Sequence, residues 1–270
     1  MIKSMKNYNT IIFLLILLFV LLFLSSLMMG RLEISVSQLV TIILSKMTGK
    51  EIADTLVTKS LGFWWIRFPR CIMAVIIGTG LAVSGAVYQA LFRNPLVSPD
   101  ILGVSAGCTF GAALGLILPT DTFSLVHILA FFFGLAAVSM AMGIARLISI
   151  KPIIVLVLSG MVVLSFFNAL LMIIKYFSDP FDELPSIIFW IMGSLSRVTW
   201  QDIFIALPVT GAGIILFMLL RFRLNILSLG DIQAKSLGMN PSVFRFILIV
   251  TSSFIVAMSV ATCGQICWIG

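Results

Sequence analysis

Seven stretches of this chain run without a single Asp, Glu, Lys or Arg: Ile11–Gly30, Cys71–Phe92, Ile101–Thr120, Thr122–Ala145, Pro152–Ile174, Ile203–Leu220 and Phe246–Gly270. Each holds 18 to 25 residues, and about 20 residues of α-helix cross ~30 Å of hydrocarbon. The runs are continuous. A transmembrane β-barrel would instead show alternating segments of about ten residues. The pattern predicts an all-α, polytopic transmembrane bundle with seven spans, forming one domain over residues 1–270.

The first run follows Lys3 and Lys6, as a signal peptide would, but its apolar core is longer than an h-region. Ser25-Ser26-Leu27-Met28-Met29-Gly30 offers no clear small-x-small cleavage site, so the run reads as an uncleaved anchor. Two shorter pieces lie between spans. Ile34–Leu44 mixes Ser and Gln with aliphatics and suits a surface helix. Leu184–Ser196, containing Trp190, is too short to cross and reads as re-entrant or interfacial.

Composition narrows the class. Hydrophobic residues make up 61% and charged residues 10%, and the mean hydropathy is +1.21. A water-soluble domain is nearer half apolar and a quarter charged, so an ordinary soluble enzyme and a disordered chain are excluded. The net charge of +7 is spread out, with no dense basic block of the kind that binds nucleic acid. Cys71, Cys108, Cys263 and Cys267 are scattered through apolar runs and define no disulfide framework. With the N-terminus inside, inner segments carry nine Lys/Arg and outer segments eight, the outer ones offset by eight acids. Short loops decide the direction: Arg146/Lys151 and Arg221/Arg223 sit tight against span ends and predict a cytoplasmic N-terminus.

Several chemistries find no support. Ion-coupled carriers keep costly ionisable groups inside the membrane, and the seven runs contain none. The single His127 reads as an interfacial or packing residue rather than a metal ligand or proton relay. No G-x-x-x-x-G-K-[ST] occurs, so uphill transport would draw its energy from another subunit. Gly103-Val104-Ser105-Ala106-Gly107 does fit the G-x-S-x-G nucleophile elbow, but that motif needs a strand before it and an acid and His nearby. The glycines instead recur every four residues as Gly103, Gly107, Gly111 and Gly115, a small-xxx-small packing stripe. Ala74, Gly78, Ala82 and Ala86, and Ala137, Ala141 and Ala145, repeat the device. Cys263 and Cys267, one turn apart, read as small apolar fillers. No metal site or cofactor is expected.

Three polar features exceed this background. Arg67-Phe68-Pro69-Arg70 stands at the outer mouth of the second span, where proline would break the helix start and both guanidinium groups would face water. They suit headgroup anchoring or bidentate docking of an acidic external partner. Arg93-Asn94-Pro95-Leu96-Val97-Ser98-Pro99-Asp100 joins spans two and three, with Asp100 set to cap the next helix. Leu229–Gly238 forms the largest inner loop, where Leu229, Ala234 and Leu237 would make one small apolar face for a cytoplasmic partner.

Together, Arg67-Phe68-Pro69-Arg70, the run Gly80–Gln89, Arg93-Asn94-Pro95-Leu96, Pro99, Leu102-Gly103-Val104 and Gly107 closely resemble the permease family of iron-siderophore, haem and cobalamin ABC importers. The loop Leu229–Gly238 resembles that family's coupling segment, and Gly264–Gly270 resembles its G-x-I-x-F-x-G signature with Trp268 in place of Phe. The resemblance implies ten helices, a dimer of permeases in a bacterial or archaeal plasma membrane, two cytoplasmic ATPase subunits and an extracytoplasmic binding protein that delivers substrate. It implies docking of that protein at Arg67 and Arg70, and ATPase coupling through Gly230, Asp231, Ala234, Leu237 and Gly238. Asn94 and Pro95 would shape the turn, and Gln89, Ser159, Ser165 and Asn168 are the polar groups available on spans two and five to border the path. Seven spans against ten, with the chain stopping inside an apolar run, suggest a C-terminally truncated form. The cargo expected is an iron chelate, haem, cobalamin or a similar metal complex. The rival readings are an ion-coupled carrier and, more remotely, an intramembrane serine hydrolase built on Ser105.

Overall fold

The computed structural model describes residues 2–30, 32–49, 52–118, 123–148 and 152–266. Arg31, Lys50, Glu51, Asp121, Lys151 and Cys267–Gly270, which entered the charge count, the cysteine pair and the final signature, lie outside these. The described residues form eleven α-helices and no strand. They are α1 (Ile2–Met28), α2 (Val36–Thr48), α3 (Asp54–Gly62), α4 (Phe68–Phe92), α5 (Val104–Ile117), α6 (Phe123–Leu147), α7 (Pro152–Phe177), α8 (Glu183–Ile191), α9 (Trp200–Leu229), α10 (Asp231–Ser236) and α11 (Pro241–Cys263). Six helical stretches are long and apolar enough to cross a membrane. The chain divides into two units, Met1–Ala74 with Val198–Trp200, and Val75–Arg197 with Gln201–Gly270.

In the first unit, α2 and α3 are short surface-type helices beside the apolar end of α1. Ser35 starts α2 with a reciprocal capping box to Gln38, and Gly49 closes it in the left-handed region. Leu27, Ile34, Leu39, Ile42, Phe63 and Cys71 form the core here. The helix expected to begin at the second apolar run starts earlier. A π turn over Phe63–Arg67 joins α3 to α4, with the Phe68 amide reaching back to the Phe63 carbonyl. Pro69, expected to break the helix, lies inside this continuous helical run. The wider π ladder before it accommodates a residue that has no N–H to give.

The second unit is organised on α5 and α11. Most of α11, from Leu248 to Cys263, is buried, as is most of α5. The third apolar run does not form a full-length span. Arg93 turns the chain in the left-handed region, Pro99–Leu102 make a 3-10 turn, and Gly103 at φ 77° redirects the backbone before α5 begins. Only 14 residues remain helical, about 21 Å at 1.5 Å each. Asp100 accepts the Ser105 amide at 2.9 Å and so caps α5. Burial pushes the Asp100 carboxyl above its usual range, opposed by its bonds from Ser105.

Glycines set how closely α5 approaches its neighbours. A Cβ at Gly107 would strike the Phe133 carbonyl, one at Gly111 the Leu129 carbonyl, and one at Gly115 the backbone of Val126, all on α6. Gly103 instead faces the Leu164 backbone on α7. Ala137 and Ala141 of α6 are buried with Ala106, Val163 and Phe167. In contrast, Ala74, Gly78, Ala82 and Ala86 of α4 are all exposed, and a Cβ at Gly78 would meet open space.

Candidate functional site

At one end of the second unit, the C-terminus of α9, the short α10 and the N-terminus of α11 meet the end of α4. Gly230, at φ 140°, separates α9 from α10. Any side chain there would sit in a conformation L-residues rarely adopt and press on Gln233. Asn240 caps α11 through its side chain, with Pro241 at the first helical position.

A three-charge cluster ties these elements together. Asp231 Oδ1 accepts from Arg245 Nη2 at 2.8 Å and from Arg93 Nη2 at 3.4 Å. Arg93 also donates to the Leu227 carbonyl at 3.1 Å, near the end of α9, where the Gly230 amide donates as well at 3.3 Å. Arg245 is buried, and the other two members are partly exposed. The cluster therefore holds α10 from beneath.

The exposed side of α10 differs from the expectation. Ala234 is 0% exposed, so it belongs to the interior and not to an apolar face shared with Leu229 and Leu237. A helix of six residues makes under two turns, and Asp231 and Ala234, three apart, share its inner side. The apolar side chains turned outward are Leu229, Ile232 at 82% exposure, and Leu237. Gly238, also in the left-handed region, ends the segment. Leu96 of the Asn94–Pro95 turn is exposed too, and Asn94 Oδ1 accepts its amide at 2.9 Å.

In the first unit, Arg67 does not simply face water. Its Nη1 donates to the carbonyls of Leu27 and Met28, each at 3.0 Å, and its Nη2 to Leu32 at 2.7 Å. The Leu27 and Met28 carbonyls are at the end of α1 and need a donor that the helix cannot supply, and Leu32 lies four residues beyond it. Arg70, three residues on, is half-buried. Trp200 Nε1 donates to the Trp64 carbonyl at 2.9 Å, and its ring packs near Phe68.

The four polar residues taken as path candidates do not gather on one surface. Ser159 is buried and returns its hydroxyl to the Val155 carbonyl. Ser165 and Asn168 lie on the exposed side of α7. Nine residues separate Ser159 from Asn168, which at 100° each sets them on opposite faces. Gln89 is exposed and donates to the Pro95 carbonyl at 3.1 Å. Ser105 is fully buried, its carbonyl accepting from Thr109 at 2.6 Å. His127 borders a small cavity with Trp190, Arg197 and Cys263. Among the described residues, no cluster of three or more His, Cys, Asp or Glu could hold a metal ion.

Residues 16–270 match the FecCD transport family. The chain belongs to that family. It is 36% identical over 265 residues to the molybdate import system permease MolB of Haemophilus influenzae, covering 98% of this chain and 77% of that protein. Over 205 residues it is 40% identical to an iron chelatin transport system permease of Helicobacter pylori, covering 76% of this chain but 61% of that one. A solved inward-facing structure of a metal-chelate type ABC transporter superposes with a TM-score of 0.80 at 33% identity, covering 97% of this chain and 78% of the other. This FecCD chain is thus a multi-pass membrane protein with the helical fold of those permeases.

Two features of the FecCD chain were missed in the sequence. In the Arg93–Asp231–Arg245 cluster, Arg93 bonds to Asp231 across 138 positions, and the cluster's only cue was that Arg93 and Arg245 flank apolar runs. Arg67 as a cap for α1 left no local signal, because its partners lie about 40 positions back.

Proposed function

We propose that this chain is the membrane permease subunit of a binding-protein-dependent ABC importer. It would sit in a bacterial or archaeal plasma membrane with its N-terminus in the cytoplasm, paired with a second permease copy. ATP hydrolysed by cytoplasmic partner subunits would drive transport, and an extracytoplasmic binding protein would deliver the cargo. The chain itself would perform no covalent chemistry.

One observation carries the reading: a short helix, α10, is clamped from within by Asp231, and it and the residues flanking it present three apolar side chains outward. A solvated loop has no use for Leu229, Ile232 and Leu237 together at the surface. A hollow on an ATPase subunit would cover them. Because Asp231 bonds to Arg245 at the foot of α11 and to Arg93 beyond the end of α4, a push on α10 would reach two long helices through charge-assisted bonds. Nucleotide binding would then bias the bundle between outward- and inward-open packings. The exposed small residues of α4 support further helical protein packed against the chain.

The cargo class follows the relatives: an iron chelate first, with haem and cobalamin complexes as close alternatives and a metal oxyanion within range. Docking of the binding protein would fall to Arg70 together with whatever capacity Arg67 retains beyond its bonds to α1.

The test is crosslinking. Ile232→Cys in a complex with the cognate ATPase should form a bond to a cysteine engineered in the ATPase cleft, with a yield that changes when ATP is added. No crosslink at Ile232 or Leu237 in an assembled complex would refute α10 as the contact.

A further inference from the structure

A cavity of about 230 Å³ opens at the same end of the second unit, among the C-terminus of α6 and the N-terminal turns of α7 and α11. Its walls combine two unlike chemistries. Arg146, Arg245 and Ser242 supply hydrogen-bond donors, while Met142, Leu156 and Phe246 are apolar.

The donors on this wall have spare capacity. Arg245 is only 7% exposed, one nitrogen is spent on Asp231, and its Nε is buried without a hydrogen-bond partner. A buried guanidinium donor left unpaired is unfavourable, and an anionic oxygen is its natural complement. Arg146 reaches over the Phe246 ring, its guanidinium carbon 5.2 Å from the centroid. This contact holds the charge at the rim while leaving the edge donors of the fork available.

The helix geometry favours the same sign of ligand. α11 begins at Pro241, so Ser242 brings the N-terminal turn of that helix to the cavity. The Asn240 side chain already accepts its first amides, so the helix adds only the partial positive charge of its end, which favours an anion. Asp231 is the acid paired with Arg245, and it bonds to Arg93 as well, which leaves the cavity side with excess positive charge.

From these observations we infer that the cavity holds the phosphate headgroup of an anionic phospholipid. α6, α7 and α11 are all long and apolar enough to cross a membrane, so their ends lie at headgroup depth. Basic pockets between membrane helices bind such headgroups. Met142, Leu156 and Phe246 match the glycerol and upper acyl segment, which a free phosphate would leave uncovered. The occupied site would brace Arg245 and hence its bond to Asp231 and α10. The inference rests on the membrane setting alone, and it survives if α10 proves not to be the ATPase contact.

The test titrates the purified full chain in detergent with dioleoyl-phosphatidylglycerol, dioleoyl-phosphatidylcholine or inorganic phosphate, and counts bound molecules by native mass spectrometry. Phosphatidylglycerol should bind at a concentration at least tenfold below phosphatidylcholine, with inorganic phosphate competing only at far higher concentration. Arg146→Glu should abolish that preference while lowering the melting temperature only slightly, since it loses one exposed contact with the Phe246 ring, and Ser242→Ala should reduce it severalfold. Arg245→Gln also disturbs Asp231 and can cost folding, so Arg146→Glu decides. Equal binding of the two lipids, or a preference unchanged in Arg146→Glu, would overturn the site. Displacement of the lipid by phosphate at matched concentration would overturn the lipid assignment in favour of a soluble anion.

Discussion

Arg245 donates to Asp231 at 2.8 Å across fourteen positions of sequence, so a charge-assisted bond ties the foot of α11 to the first residue of α10. Asp231 is partly exposed and Arg245 is buried. The asymmetry matters: losing the carboxylate leaves a buried cation with its partner gone, which is costlier than losing an exposed pair. Asp231→Asn keeps an acceptor oxygen but not the charge. It should lower stability by about 1–2 kcal/mol, read as a drop in melting temperature. It should also lower ATP-driven uptake by more than the melting shift explains. Unchanged coupling in a stable variant would count against the cluster as a transmission element.

The outer and inner sides of α10 should respond in opposite ways. Ile232→Asp changes a side chain that meets solvent in the isolated chain, so its stability should move by no more than about 0.5 kcal/mol, while uptake falls at least tenfold in the assembled importer. Ala234→Phe forces a ring into filled space and should cost about 1–3 kcal/mol. Parallel thermal unfolding and transport assays separate the two. If Ile232→Asp transports normally, the exposed apolar residues serve no partner.

Glycine positions offer a matched pair of controls. Gly107→Val inserts an isopropyl group whose Cβ alone would strike the Phe133 carbonyl and Ala137, and must push α5 off α6. The protein should lose its monodisperse peak in size-exclusion chromatography or melt far lower. Gly143→Ala places its methyl in open space on the same α6 and should leave both readouts unchanged.

Arg67 and Arg70 should divide structural and docking effects. Arg67→Ala removes the donor to two carbonyls at the end of α1 and to that of Leu32 beyond it. It should lower the melting temperature and weaken capture of the binding protein together. Arg70→Gln should weaken capture, measured by surface plasmon resonance, with little change in melting. Undiminished capture in both variants would remove the arginines from the docking surface.

The long helices were legible because lipid demands an unbroken apolar run with its backbone bonds satisfied internally, and that demand is written residue by residue. What the sequence concealed is rotation and distance. The run beginning at Ile101 contains Gly103, whose left-handed turn shortens α5, yet a glycine in an apolar run is equally compatible with continued helix. Ala234 looked like part of an outer face because a six-residue helix has too few positions to fix its rotation, and its full burial decided it. Ser159 and Asn168 are both polar on one span, and their spacing sets them on opposite faces, but only packing reveals which of the two is buried. The bonds from Arg67 to Leu27 and from Arg93 to Asp231 bridge segments far apart in sequence, where no local pattern can announce them.

The account stands on the claim that this bundle is a gate moved by a separate ATPase. The direct measurement is accumulation of a radiolabelled metal chelate, with the cognate binding protein supplied, in proteoliposomes containing the permease with or without its ATPase subunit. Accumulation should require the ATPase and ATP on its side of the membrane, and should be indifferent to proton and sodium gradients. Uphill accumulation by the permease alone, driven by an ion gradient with no ATPase present, would contradict the claim.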